Sequence, residues 1–485
     1  MVKFSFKSFF ALVTAIFLTF SLVAQEQYLK SMLDENVNFY EVCAQAEAYF
    51  NTIDRNKKGS GWKGFMRWKV ANEGKYYPSG NRKHVNHALH LKAFESFSHT
   101  AMDRGGNAPW TCLGPYKVDS ITFGYNSGIG RVECFEVDPG NDNIIYLGSK
   151  SGGFWKTSDS GKTWKNTTDF LPTTGVFAMD VNPFNRQEIL INSTESSSSL
   201  SFGIYRSTDA GETWNHTILH PSLGFGGPDA FVFVRSIAYH PLIKDLVFLG
   251  TTEGLYRSED NLQTFQLLYP GKGVIDIEFH PTNPDVMYFI SLAPPFENTV
   301  AISKNRGITF SPSNILIDNN GYPGTLDVTP ARPDNVYYAS RESIYKSIDK
   351  GSDFQLIGKL SSNSASDLSV SDIDTVHFIS GYVNLEASYN GGQSFTPISD
   401  WNSIDPDSSY VHADLVMANC QNGVFYVATD GYLCRSRNFG KSWERLNDGT
   451  CIREFYRIGI SQSDVDVQLG GSQDMGTSIL NKRVD

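Results

Sequence analysis

Beyond its first two dozen residues, this 485-residue chain has no apolar run approaching the roughly 18 residues that cross a bilayer as a helix, so no membrane span is expected. Basic residues are the minority. Against 52 Asp and Glu there are 41 Lys and Arg, a formal net charge of -11, and no basic patch of the kind that holds phosphate backbones, which argues against a nucleic-acid partner. Cysteine is sparse too: Cys43, Cys112, Cys134, Cys420, Cys434 and Cys451 follow no paired zinc spacing and leave open one or two disulfides or six free thiols. No Ser-His-Asp order, EF-hand or Gly-rich phosphate loop occurs, and "DSGKTW" lacks the leading glycine and following helix of the last. Ordinary turn chemistry accounts for loops such as "DPGNDN" without calcium. No cofactor or metal is expected.

What is present starts with Lys3 and Lys7, an apolar stretch from Phe9 to Val23 and small Ala24, which read as a signal peptide over 1–24 and predict a secreted or cell-surface protein. Three N-x-S/T sequons follow at Asn166, Asn192 and Asn215. Residues 25–105 read as a helical N-terminal extension and linker. Leu29, Leu33, Val37, Tyr40, Ala44 and Phe50 fall at helical spacing and predict an amphipathic helix over about 28 to 54. "GWKGFMRW" puts Trp62, Phe65 and Trp68 on a short element, and "NRKHVNHALHLKAFESF" predicts another helix. Its His84, His87 and His90 have no recognisable fourth ligand and read as a solvated face.

The rest repeats. A motif S/T-x-D/N-x-G-x-T/S-aromatic starts at Thr157, Ser207, Ser258, Ser303, Ser347, Ser388 and Ser436, at intervals of 50, 51, 45, 44, 41 and 48 residues. Two strand signals precede each copy, as Val132 to Val137 and Ile144 to Gly148 do the first. A period near 45 built from short strands and turns predicts an all-β propeller of four-stranded blades over 106–485: seven complete units and a partial eighth.

The motif residues have physical tasks. Asp159, Asp209, Asp260, Asn305, Asp349, Asn390 and Asn438 can accept backbone N–H bonds of the hairpin joining strands three and four. Gly161, Gly211, Gly307, Gly351, Gly392 and Gly440 supply positive φ, with Leu262 in place of glycine in the third copy. Trp164, Trp214, Phe265, Phe310, Phe354, Phe395 and Trp443 are expected to pack between strands. Asp353 stands where the fifth copy should have Thr or Ser.

This motif resembles the Asp-box, or bacterial neuraminidase repeat, of sialidases, sortilins and xyloglucan-cleaving glycoside hydrolases, and the resemblance implies a structural role at the blade rim. The ordered strings "WTCLGPY", "GIGRVECFEVDP", "GGFWKTSDSGKTW", "YVHADL", "LNDGTCIREFYRIGIS" and "GGSQDMGT" are similar to secreted sortilin-like or glycosidase-like repeat proteins of bacteria that use type IX secretion, over most of residues 60–485. Such relatives carry further blades and a C-terminal sorting domain. "EFYRIGIS" and "VQLGGSQDMG" read as the first two strands of the eighth blade, with "WTCLGPYKV" a possible outer strand, so the sequence is expected to be a truncated form of a longer protein.

Function is expected at the mouth opposite the boxes, in the loops between strands two and three and the links between blades. These carry Lys150, Glu195, Glu253, Glu297, Arg341, Glu342, Glu386, Asp430 and Asp474, with Trp401, Tyr410, His412 and Asp414 on the link after blade six. The main expectation is a binding protein recognising a polysaccharide, a glycoprotein or another protein, with Phe225, Phe231, Trp401 and Tyr410 available to stack on sugars or anchor a peptide. The alternative is a glycoside hydrolase using mouth carboxylates, for which Asp430, Asp474, Glu253 and Glu195 are the candidates. A purely structural surface component is the third reading. In the resembling xyloglucan-cleaving enzymes a catalytic aspartate precedes a Gly-Gly pair in the first blade; "YLGSKSGGFWKT" puts Lys150 there, and lysine cannot do that work. Arg131, Arg235 and Arg453 start innermost strands as a sialidase carboxylate clamp would, but Val132 and Glu133 replace the Ile-Pro of that signature, and Arg131 is expected to order the first blade through a carboxylate.

Overall fold

The computed structural model describes residues 27–82, 96–97, 112–117, 128–194, 201–217, 232–270, 273–293, 297–318, 324–361, 364–401, 410–464, 466–472 and 474–481. The chain separates into two compact units, Met1–His90 and Leu91–Asp485. Among the described residues no helix is long and apolar enough to cross a membrane.

The first unit is helical, but its helix breaks where the periodicity predicts continuity. Helix runs over 27–33 and again over Phe39–Phe50, because the Asp34 carboxylate captures the Asn36 N–H and Asn38 caps the second segment by accepting from Tyr40 N. The break turns the apolar face. Leu29, Leu33 and Tyr40 are exposed, while Tyr28, Phe39, Cys43, Ala46, Tyr49, Phe50 and Phe65 form the core. Trp62, Phe65 and Trp68 lie on a full 15-residue helix, Trp62–Tyr76. His84, His87 and His90 fall outside the described residues.

The second unit is an all-β propeller. Blade 1 comprises Val132–Val137, Ile145–Ser149, Gly153–Thr157 and Lys165–Asn166, each strand antiparallel to the last, and six further sheets repeat this meander. The inner strands of blades 2 to 7 are Met179–Val181, Val234–Tyr239, Gly273–Phe279, Thr325–Val328, Asp367–Val370 and Leu415–Gln421. Second strands such as Ile145–Ser149, Val247–Thr251 and Val336–Ser340 are buried at every position, because a neighbouring blade covers each face; hence continuous apolar runs replace alternation. Seven apolar clusters fill the gaps between successive blades, the last joining Val132, Phe135 and Leu147 of blade 1 to Tyr426, Ala428 and Leu433 of blade 7.

The ring therefore closes at seven, blade 7 on blade 1, without sharing a strand. The expected partial eighth blade is present as a three-stranded sheet, Phe455–Ile460, Val467–Ser472 and Thr477–Asn481, and its inner strand is exposed throughout. It has three strands of its own rather than two, and residues 112–117 supply no outer strand. Cys112 instead forms a disulfide with Cys451; Cys43, Cys134, Cys420 and Cys434 are free thiols.

Each repeat motif closes the hairpin between strands three and four. In blade 1 the Thr157 hydroxyl donates to Asp159 Oδ1 (2.8 Å) and accepts from Gly161 N (3.0 Å), while Asp159 accepts from Thr163 N (2.9 Å) and from its hydroxyl (2.7 Å). The aromatic reaches further than the strands of its own sheet. Trp164 Nε1 donates to the Leu446 carbonyl of blade 7 (2.8 Å), and Trp214 Nε1 donates to Thr167 of blade 1 (3.0 Å), so these residues lock blades to one another. Leu262 takes φ 62°, a cost for a non-glycine residue, yet its side chain is 2% exposed and packs with Leu190 and Ile204 of blade 2.

Candidate functional site

Four stretches distant in sequence meet where blade 7 closes on blade 1. The turn 429–432 between the second and third strands of blade 7 is held by Thr429 Oγ1, which accepts from Gly431 N (3.2 Å) and Tyr432 N (3.1 Å). Glycine is required at 431, since a Cβ there would sit 2.3 Å from the His412 ring. The Gly431 carbonyl accepts from Ile129 N (2.8 Å) and Gly130 N (3.2 Å), tying the turn to the entry of blade 1. Link 410–414 packs on the other side, where Asp430 N donates to the Asp414 carbonyl (3.2 Å). From the eighth sheet come Asp474 and the buried Met475, whose sulfur lies where a Cβ on Gly128 would fall.

This arrangement brings Asp414, Asp430 and Asp474 together: one carboxylate oxygen from each lies within 4.8 Å of the other two. Asp414 and Asp474 have φ of 63° and 47°, backbone strain of the sort held at functional positions. Arg131 donates to Asp430 Oδ1 (2.6 Å) and to Glu133 Oε2 (2.5 Å). Burial alone would depress Arg131, but those two carboxylates outweigh it and hold the guanidinium charged. Asp430 is raised by burial and pulled back in part by Arg131. Asp414 is pushed up to about 6 by burial and by the charges of Asp430 and Asp474, against the pull of Arg131. A group that exchanges its proton near pH 6 is suited to acid–base work.

Beside the cluster, Val383, Trp401, Tyr410, His412, Asp414 and Asp474 enclose a cavity of about 230 Å³. Tyr410 and His412 are buried, and Trp401 is 43% exposed. Burial pushes the His412 ring down to about 4, so it is neutral at physiological pH. Carboxylates this close are nearer the roughly 5–5.5 Å of a double-displacement pair than the roughly 6.5–9.5 Å that leaves room for an attacking water in an inverting one.

Of the residues singled out in the sequence, the structure gathers Asp414, Asp430, Asp474, Trp401, Tyr410, His412 and Arg131 at this seam. It disperses others. Glu253 accepts from its blade-mate Tyr256 (3.0 Å), Glu342 pairs with Lys359 (3.3 Å), and Glu386, 1% exposed, accepts from Ser361 N and its hydroxyl (both 2.8 Å). The three arginines form no clamp: Arg453 donates to Ser478 and to the Gly128 carbonyl, while Arg235 lines a separate cavity on the propeller axis. Glu195, Phe225 and Phe231 fall outside the described residues. Lys150 sits at the end of the second strand of blade 1, close enough for its charge to favour ionised Asp430.

Sequence reasoning missed the axis. Glu136, Asp276, Glu278, Asp327, Asp367 and Arg235 line a cavity of about 540 Å³ along it. Their signal was a carboxylate on inner strand after inner strand.

No family model matches the chain. Over 107 residues it is 36% identical to a xyloglucanase of Hypocrea jecorina, 21% of this chain and 12% of that one. Over 79 residues it is 39% identical to a xyloglucanase of Paenibacillus, 16% of this chain and 7% of that one. The GH74 enzyme of Niastella koreensis superposes with a TM-score of 0.56 at 16% identity, covering 75% of this chain and 60% of that structure. The GH74 xyloglucanase of Xanthomonas campestris gives 0.53 at 12%, covering 73% and 60%. The fold is theirs: a β-propeller. At these identities the superpositions carry the fold alone, and the chain spans about 60% of the length of the solved structures it resembles.

Proposed function

We propose that the seam is a polysaccharide-binding cleft whose carboxylates serve glycoside hydrolysis, a reading the likeness to xyloglucanases favours over bare recognition. The observation that carries it is the convergence of Asp414, Asp430 and Asp474 within 4.8 Å beside a cavity that contains Trp401 and Tyr410. In this reading Asp414 holds the proton for the leaving oxygen, Asp474 is the partner carboxylate, and Asp430, bound to Arg131, positions the pair. Lys3, Lys7, the Phe9 to Val23 run and the seven boxes support an exported protein of the Asp-box kind, compatible with type IX secretion.

The test is release of reducing ends from xyloglucan and a panel of other polysaccharides. Asp414→Asn and Asp474→Asn should each lower release at least 100-fold; undiminished release in both would remove the cluster from the chemistry. A second reading, retention without cleavage, is favoured by one residue: Lys150 leaves the first-blade loop without the carboxylate that the resemblance implies there. Polysaccharide retained by the protein with no product formed would select it.

A further inference from the structure

The cavity beside the cluster presents acceptors. His412 is 4% exposed, and its Nδ1 lies 3.1 Å from the Ala413 carbonyl oxygen, which can only accept; the ring proton therefore sits on Nδ1. Nε2 is left as a lone pair on the cavity wall, with no hydrogen-bond partner among the described residues. Asp414 and Asp474 add carboxylate oxygens, and the aromatic faces of Trp401 and Tyr410 attract positive charge. Among the described residues no Lys or Arg lines it. Asp414 is faced by Asp430, Asp474 and Arg131, the last already bonded to Asp430 and Glu133; His412 is faced by Asp474, Arg445 and Arg453.

A sugar hydroxyl brings one donor and no charge to such a wall. A primary ammonium brings three donors and a positive charge, matching the imidazole lone pair, the Asp474 carboxylate and the aromatic faces at once. We propose that this cavity is a subsite for a primary ammonium, carried by a 2-amino sugar of the bound polysaccharide. The proposal rests on the reading of the cleft as a glycan site and names the class of glycan.

Calorimetric titration of the full chain at pH 6.5 tests it, with a β-1,4-linked glucosamine hexamer, its fully N-acetylated counterpart and a neutral β-1,4-glucan hexamer as probes. The free-amine hexamer should bind at least tenfold more tightly than either. Asp474→Asn should remove that preference, and so should Trp401→Ala, which truncates a 43% exposed side chain and so spares the fold. Equal affinity for the amine and acetylated forms would overturn the proposal, while binding of all three hexamers would leave the cleft a glycan site. Binding of the amine hexamer unchanged in Asp474→Asn and Trp401→Ala would also overturn it, as attraction to the net charge of -11. A lysine-rich peptide bound where no hexamer binds would defeat both the amino-sugar source and the glycan reading.

Discussion

Aspartates do the same job at two places in the propeller, with opposite consequences. At the rim, Asp159, Asp209 and Asp260 accept backbone N–H and hydroxyl bonds in contact with water and are held down at about 2. On the axis, aspartates join one inner strand to the next: Asp180 accepts from Tyr239 N (2.6 Å), Asp276 from Leu326 N, Asp327 from Val370 N and Asp367 from Ala418 N (2.7 Å). These accept comparable bonds, yet burial pushes Asp180 and Asp367 up to about 7 and Asp276 to about 6. Hydrogen bonding to a carboxylate does not by itself fix its proton affinity; loss of water decides.

The contrast predicts the shape of the stability curve. A raised carboxyl contributes stability that is full below its unfolded value, about 3.9, and is lost as pH rises through its folded value. A depressed one contributes stability above about 3.9 that is lost as pH falls toward 2. Thermal unfolding should therefore peak near pH 4–5, decline by on the order of 8 kcal/mol toward pH 8 as Asp180, Asp276 and Asp367 ionise, and fall again toward pH 2 as the rim protonates. Stability rising from pH 5 to 8 would mean that the axial hydrogen bonds outweigh desolvation after all. Next in size is Asp367→Ala, which strands Ala418 N and Leu368 N between blades 6 and 7 and leaves the Thr325 hydroxyl of blade 5 only its bond to Asp276 (3.0 Å). It should cost about 3 kcal/mol in chemical denaturation, and a loss below 1 kcal/mol would show that water in the axial cavity replaces the carboxylate.

The same contrast marks what was legible. The boxes keep a fixed internal spacing because each closes a local hairpin, so the seven blades could be read from Thr157 to Ser436. Mouth loops follow from strand order, which is why Trp401, Tyr410, His412, Asp414, Asp430 and Asp474 stood out together, although their meeting at one seam depends on closure between residues nearly 300 apart. Closure itself was not legible, because Val132 and Tyr426 meet through packing that leaves no motif. Nor were the axial carboxylates. Asp276 sits at a bulge between Ile275 and Ile277 with φ 57°, which breaks the period-two pattern, and the others read as ordinary polar positions of half-exposed strands.

Glycines at the rim separate backbone conformation from close approach. Gly161 and Gly391 both need positive φ, 85° and 76°, but a Cβ at 161 would lie 2.3 Å from the Leu446 carbonyl of blade 7, whereas at 391 the nearest atom is 3.2 Å away. Gly161→Ala should cost about 2 kcal/mol, from strain and from separation of blades 1 and 7, and Gly391→Ala about 1 kcal/mol from strain alone. Equal losses in urea unfolding would mean that the ring closure yields freely at Leu446.

The smallest effect isolates the hydroxyl of the box. In blades 1, 2 and 3 a threonine donates both its N–H and its hydroxyl to the aspartate; in blade 5 the residue at that position, Asp353, donates only its N–H to Asp349 (2.9 Å) and sets a second carboxylate alongside. Asp353→Thr should supply the missing donor and remove a like charge, at the loss of the Asn314 amide bond to Asp353. Asn314 Oδ1 still accepts from Phe354 N (2.9 Å), and its exposed amide can turn to water, so the gain should prevail by about 0.5 kcal/mol. Comparison with Asp353→Ala separates the two contributions: a gain shared by alanine comes from relief of charge, and one seen with threonine alone comes from the restored hydroxyl bond.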